Sequence, residues 1–385
     1  MEKVRIGVIG IGGMGRHHAT YLNAGDVPGA ELAAVCDTSP AALDWAGGKF
    51  GDKVQRFEAA DALFASKAVD AVMIATPHYF HPPLAIQAFQ NGVHALVEKP
   101  AGVYTKQVRE MNEVAAQSGL VFGIMFNQRT LGRHQKMKEL VASGELGEIK
   151  RTNYVITDWF RSQTYYDSGG WRATWSGEGG GVLLNQSPHN LDLWQWICGL
   201  PKRVRAFCAF GKYHDIEVED DVTAYVEYEN GATGVFITTT GEAPGSNTFE
   251  IVGDRGRLLL SEGKLRFWRT RLPVSQFLRE SKSGFEKPET WVCEIPASGG
   301  EEHIGITKNW VKAIREGTPL LARGEEGIQG VQLANAMLLS AWTDSWVELP
   351  LDDDLYHSEL QKKIQNSQFQ KKVTEDKAME VTGTF

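Results

Sequence analysis

The first 37 residues constrain this chain more than any others. Lys3-Val-Arg-Ile-Gly-Val-Ile9 is an apolar run that suits a buried strand. Gly10-Ile11-Gly12-Gly13-Met14-Gly15 follows at once and opens a helix-compatible stretch. A second apolar run, Glu31 to Cys36, ends in Asp37. Strand, glycine turn, helix, strand and acid is the order a dinucleotide site requires. Gly10 permits the tight turn, Gly12 lets a pyrophosphate approach the main chain, and Gly15 lets the helix pack on the strand. The helix start offers N–H groups and a positive dipole end to phosphates. Asp37 lies 22 residues past Gly15, near the usual spacing of about 20. Its carboxylate is expected to accept from the ribose hydroxyls and to repel a 2′-phosphate, which favours NAD over NADP. Ile11, Gly13, Met14 and Thr38 are expected beside the same ligand, although Thr38 and Ser39 would not themselves repel a phosphate.

At 385 residues the chain exceeds a usual single core. Two domains are expected: a dinucleotide-binding one over 1–126 and a substrate-binding, oligomerising one over 127–385. The formal net charge of −8 argues against nucleic acid or an anionic membrane surface as a partner. No apolar run approaches the roughly 18 residues of a membrane span. The four cysteines, Cys36, Cys198, Cys208 and Cys293, show no paired spacing, and the first strand starts almost at Met1. A reducing, cytoplasmic setting is therefore expected.

The alternation of strand and helix continues after Asp37. Val69–Ala75 is a near-continuous apolar run, 82–90 suits a helix, and His94–Val97 is a strand ending in Glu98-Lys99-Pro100. A helix over 105–118 and a strand over 120–126 complete a doubly wound parallel sheet. Strands then come in succession at 148–156, 203–210, 222–228, 232–240, 247–253, 256–260 and 264–268, with Asn230-Gly231 a hairpin signal. The second domain is thus expected to be an open, mostly antiparallel sheet with helices near Ser187, 303–316 and 325–343. Residues 272–290 read as a polar insertion. Glu217–Asp221 reads as a solvated strand lead-in and Asp352–Asp354 as a turn. The polar tail beyond Ser358 reads as a loose helix or an arm on a partner subunit.

Lys99 stands at the carboxyl end of a parallel strand, where such sheets bind ligands. Pro100 holds it extended. It is either a surface lysine beside a turn or a cation that holds a substrate hydroxyl. Gly179-Gly-Gly181 runs through Asn185 to Ser187-Pro188-His189. Ser187 suits an N-cap and Pro188 a first helical residue, which puts His189 in the first turn. The dipole there disfavours imidazolium, and a neutral ring suits a general base; a helix-end hydrogen-bond donor is the other reading. Between these motifs, Trp159-Phe160-Arg161, Tyr165-Tyr166, Trp171-Arg172 and Trp175 suit either packing at the domain junction or a sugar site, with Arg172 gripping hydroxyls. His78 and His81 lack an obvious third metal ligand, so no metal is expected.

Taken together, the glycine turn, Ala75-Thr76-Pro77 with His81, Glu98-Lys99-Pro100, Asn127-Gln-Arg129 and Gly179–Gly181 running to His189 resemble the Gfo/Idh/MocA family of NAD(P)-dependent sugar and polyol dehydrogenases. The resemblance implies a catalytic pair of Lys99 and His189. It implies cofactor contacts from Gly12, Gly13, Met14, Asp37, Thr76, His81, Glu98 and Asn127, with Lys99 between cofactor and substrate. With the aromatic run read as a sugar site, the expected substrate residues are Lys99, Trp171, Arg172, Asn185 and His189. Many members carry Asp where this chain has Asn185. Asn cannot take a proton at pH 7, so the proton falls to His189 and Asn185 is left to orient. The expected activity is oxidation of a secondary hydroxyl of a cyclic sugar, glycoside or inositol by a homodimer or homotetramer. An NAD-assisted glycosidase and a non-catalytic NAD- or sugar-binding regulator are the alternatives.

Overall fold

The computed structural model of the protein describes residues 3–372. Six parallel strands form the first sheet: β1 (Val4–Ile9), β2 (Ala30–Cys36), β3 (Gln55–Phe57), β4 (Ala71–Ile74), β5 (His94–Val97) and β6 (Phe122–Ile124). Their spatial order is β3-β2-β1-β4-β5-β6. From β1 the chain runs first to one side and then to the other. Doubly wound sheets bind ligands beyond the strand ends at such a reversal. β4 is Ala-Val-Met-Ile, buried throughout. A continuous apolar strand needs cover on both faces, and the helix His81–Gln90 supplies part of it.

The second sheet has nine strands: β7 (Ile149–Ile156), β8 (Arg203–Phe210), β9 (Glu219–Glu227), β10 (Thr233–Thr239), β11 (Asn247–Gly253), β12 (Gly256–Ser261), β13 (Lys264–Thr270), β14 (Thr290–Ile295) and β15 (Val347–Glu348). Their order is β14-β13-β12-β11-β7-β10-β9-β8-β15. Every pairing is antiparallel except β7 with β10. Burial alternates along the strands: Val222, Ala224 and Val226 face inward while Thr223 and Tyr225 face out. The inner face carries the helix Pro188–Cys198, whose Trp194 stacks on Phe236 with ring centroids 5.3 Å apart. Helix Gly327–Thr343 packs on β8 and on Pro188–Cys198.

Several local expectations need correction. The stretch 272–290 contains a short helix, Val274–Glu280, and feeds an edge strand, β14, that the polar sequence conceals. Glu217–Asp221 is not a solvated lead-in, since Glu219 and Asp220 are fully buried. Glu219 accepts from the main-chain N–H groups of Gly181 and Leu183, and Asp220 from those of Lys212, Tyr213 and His214 and from the His214 ring. Asp352–Asp354 is a helix start rather than a turn: the Asp352 carboxylate accepts from Asp354 N at 3.1 Å and Leu355 N at 2.9 Å. The expected tail is a helix over Asp353–Asn366, with residues 373–385 outside the described ones.

The two sheets are joined by packing and by charge. After the second sheet the chain returns, and Ile306, Trp310 and Val311 of helix Glu302–Glu316 enter the first core. Arg129 and Asp192, both buried, meet at 2.8 and 2.6 Å. Arg129 also donates to Leu321 O at 3.1 Å and pairs with Glu326. All four cysteines are free. Among the described residues no helix is long and apolar enough to cross a membrane, and no group of three histidines, cysteines or acids is gathered to hold a metal.

Candidate active site

The glycine turn divides its labour. Gly10 has φ +90°, and a side chain there would press a Cβ to 2.7 Å from Ala75 O. A Cβ on Gly15 would fall 1.7 Å from Gly10 O. Both glycines are demanded by the fold. Gly12 is different: it is exposed, and a Cβ would meet nothing within 4 Å. It stands at the start of helix Gly13–Ala24, where no side chain caps the first turn. An open glycine face over uncapped N–H groups fits a pyrophosphate. Asp37 accepts from Ile11 N at 2.6 Å and from Ser39 N at 2.8 Å, so it also fixes the turn. Thr38 lies exposed beside it.

Further along the same edge, Thr76 Oγ1 and Asn127 Oδ1 are buried polar atoms with no partner in the protein. Such atoms are costly unless a ligand satisfies them, so they too fit a bound dinucleotide. His81 braces this wall. One ring nitrogen faces Thr76 O and the other Pro100 O, each at 2.7 Å.

Behind Lys99 runs a buried polar chain. Glu98 Oε1 meets His18 Nε2 at 2.6 Å, and His18 Nδ1 meets the Tyr21 hydroxyl at 2.9 Å. That hydroxyl meets Thr307 Oγ1 at 2.8 Å. Burial alone would push the Glu98 carboxyl up. The hydrogen bond and charge of His18, with His303 and Lys99, outweigh it and hold the group at about 2. Glu98 is therefore a fixed anion that also receives Lys99 N at 3.1 Å.

Lys99 bridges the two sheets. Its Nζ donates to the main-chain oxygen of Asn185 at 2.9 Å. Burial lowers its pKa against the pull of Glu98. Four residues beyond Asn185, His189 begins the helix Pro188–Cys198, buried edge-on against Phe126 with ring centroids 6.5 Å apart. Burial first, and then the charge of Lys99, push its pKa well below the ordinary histidine value. Its Nδ1 is buried and without a partner. A neutral imidazole with an unsatisfied nitrogen beside a lysine can accept a proton from a bound hydroxyl. Ser187, expected as the N-cap, makes no cap; its hydroxyl turns instead to Thr238 Oγ1 of β10 at 2.8 Å.

Arg172 and Trp171 form the outer wall. The Arg172 guanidinium lies 4.5 Å from the Trp171 ring centroid and 4.7 Å from that of Tyr165. It donates to the Tyr165 hydroxyl at 3.2 Å, and that hydroxyl donates to Asn185 Oδ1 at 3.2 Å. Trp171 also packs edge-on against buried His78, 5.1 Å between centroids. The aromatic run thus splits. Tyr166 and Trp175 are core, while Tyr165, Trp171 and Arg172 are half-buried around the cleft.

Residues 4–126 match the model of an oxidoreductase family with an NAD-binding Rossmann fold, and residues 134–259 match the Gfo/Idh/MocA C-terminal domain. The chain belongs to the Gfo/Idh/MocA family. It is similar to levoglucosan dehydrogenase of Pseudarthrobacter phenanthrenivorans, 26% identical over 91% of this chain and 99% of that one. It is similar to D-glucoside 3-dehydrogenase of Escherichia coli, 29% identical over 59% of this chain and 68% of that one. Among solved structures it superposes on the WlbA dehydrogenase from Bordetella pertussis in complex with NADH and UDP-GlcNAcA. The TM-score is 0.76 at 27% identity, over 91% of this chain and 100% of that one.

As a Gfo/Idh/MocA oxidoreductase the protein uses NAD. The fold brings Lys99 to Asn185 and links Asn185 through the Tyr165 hydroxyl to Arg172, with His189 four residues further on, while the glycine turn and Thr76 lie beyond the ends of β1 and β4 and Asn127 follows β6. Three participants escaped sequence reasoning. His18 is one more histidine on a helix, betrayed only by its position three residues past Gly15. His78 was set aside with the metal question. Glu178 lies inside Gly177-Glu178-Gly179, and an acid locked between glycines was the available signal.

Proposed function

We propose that the protein oxidises a secondary hydroxyl of a cyclic sugar, glycoside or inositol, or reduces the corresponding ketone. The observation that carries this reading is the buried, unpartnered Nδ1 of His189, close enough to Lys99 to feel its charge. Bound NAD would supply the hydride acceptor for the carbinol carbon. His189 takes the hydroxyl proton. Lys99, held at Asn185 O, steadies the alkoxide as it forms. Glu98, kept ionised by His18, holds Lys99 cationic from behind. Trp171 and Tyr165 offer flat faces to the C–H surface of a sugar ring, and Arg172 reaches its hydroxyls. The names of relatives, a levoglucosan and a D-glucoside dehydrogenase, point the same way. Asp37 at the end of β2 favours NAD over NADP.

The outer face of the second sheet carries exposed Phe207, Tyr225 and Trp346. Apolar groups on a flat sheet suit an isologous interface, and a homodimer or homotetramer is part of the proposal.

The test is NADH formation across a panel of inositols, aldoses, anhydrosugars and glucosides. At least one cyclic polyol is expected to give stoichiometric NADH. Release of an aglycone without net NADH would favour transient oxidation by a glycosidase instead. A blank panel with NAD bound would favour a regulator.

A further inference from the structure

The cleft holds a carboxylate that the reaction above leaves idle. Glu178 is 1% exposed. Its Oε2 accepts from Ala173 N at 2.6 Å, and its Oε1 accepts from the side-chain amide of Asn185. The other end of that amide, Asn185 Oδ1, receives the Tyr165 hydroxyl, which in turn receives Gln186 Nε2 at 3.1 Å and Arg172.

The loop permits no other placement. A Cβ on Gly177 would stand 2.3 Å from Trp171 O, and one on Gly181 would stand 2.0 Å from Glu219 O. Gly179 has φ +82°, a backbone that other residues rarely take. Gly177-Glu-Gly-Gly-Gly181, four glycines around one acid, is a tight frame for a single side chain.

An ionised carboxylate only accepts. It therefore fixes the Asn185 amide with its NH₂ toward Glu178 and its oxygen toward Tyr165. It also places a negative charge near Lys99, opposing the fall that burial imposes on the lysine.

We propose that Glu178 is the positioning carboxylate of this site: it locks the Asn185 amide, whose main-chain oxygen holds Lys99, and adds to the charge of Glu98 a second negative charge that Asn185 itself lacks. This rests on the proposed dehydrogenase reading. Glu178 acts through Asn185 and Lys99 and need not touch substrate. Arg172, Lys99 and Lys371 are the cations that act on it, Glu219 the neighbouring acid, and Tyr166 and His78 the other titratable groups against it. Burial raises its own pKa against Arg172 and the bonds from Asn185 and Ala173, so the site should lose activity on the acid side as Glu178 takes a proton.

The test uses Glu178→Gln and Glu178→Asp in the full chain, with two readouts. On the best sugar substrate, Glu178→Gln is expected to lower kcat about tenfold or more, to lose the acid limb that Glu178 sets, and to leave NADH affinity unchanged; Glu178→Asp should recover part of the rate. Without substrate, the rate at which a lysine-acylating reagent labels Lys99 at pH 8, read by peptide mass spectrometry, should rise several-fold in Glu178→Gln, because the lysine loses one of its two counter-charges. Turnover within twofold of the parent, or unchanged labelling, overturns the proposal. If no sugar is oxidised by the parent protein, the dehydrogenase reading fails, and the labelling rate still decides the role of Glu178.

Discussion

The buried acids Glu98, Glu219 and Asp220 are each held differently. Glu98 is kept ionised by His18, and Asp220 by His214, whose Nδ1 lies at 3.0 Å. Glu219 accepts from Gly181 N at 2.8 Å and Leu183 N at 3.0 Å, while its second oxygen has no partner. Burial pushes its carboxyl up to about 7 against those bonds. An acid whose pKa rises on folding binds more protons folded than unfolded between the two values. Its contribution is therefore most favourable below about pH 4.3, the unfolded value, and is lost as pH climbs toward 7. The full loss is roughly 3–4 kcal/mol. Glu219→Gln is expected to lose less Tm between pH 5 and 8 than the parent. Parallel Tm profiles would remove Glu219 from the account. Lys99 and His189 are legible in the sequence because a strand end and a helix start dictate where they point. Glu178, Glu219 and Asp220 are not, because an acid reads as solvated until the second sheet closes over it.

At the scale of elements, the glycine turn makes a sharper statement than its motif. Gly15→Ala would drive a Cβ into Gly10 O, whereas Gly12→Ala meets only open space. Gly12→Ala is thus expected to keep the parental Tm and weaken NADH binding about tenfold or more, by crowding the phosphate approach. Gly15→Ala is expected to lose Tm itself. Calorimetry and NADH fluorescence separate the two; a destabilised Gly12→Ala would mean that the turn, not the ligand, requires that glycine. Unbroken apolar strands such as β4 announce themselves by composition. β14 and β15 do not. One is an edge strand reached through a polar insertion, and the other has two residues, so only pairing with β13 and β8 makes them strands.

At the scale of the molecule, the site exists only because two sheets are held together. Arg129, from the segment just after β6, is buried against Asp192 on the helix that begins near His189. A buried charge pair of this kind tolerates the loss of neither partner. The return of helix Glu302–Glu316 into the first core ties the same junction from the other side. Lys99 at one strand end thereby reaches the main-chain oxygen of Asn185, four residues before His189 at the helix start. The most direct measurement of that claim is the turnover of His189→Ala and Lys99→Ala beside their NADH affinity. Each variant is expected to lose about 10²–10⁴-fold in kcat while binding NADH as the parent does. Near-parental turnover in either would contradict the assignment of proton and alkoxide to these two residues.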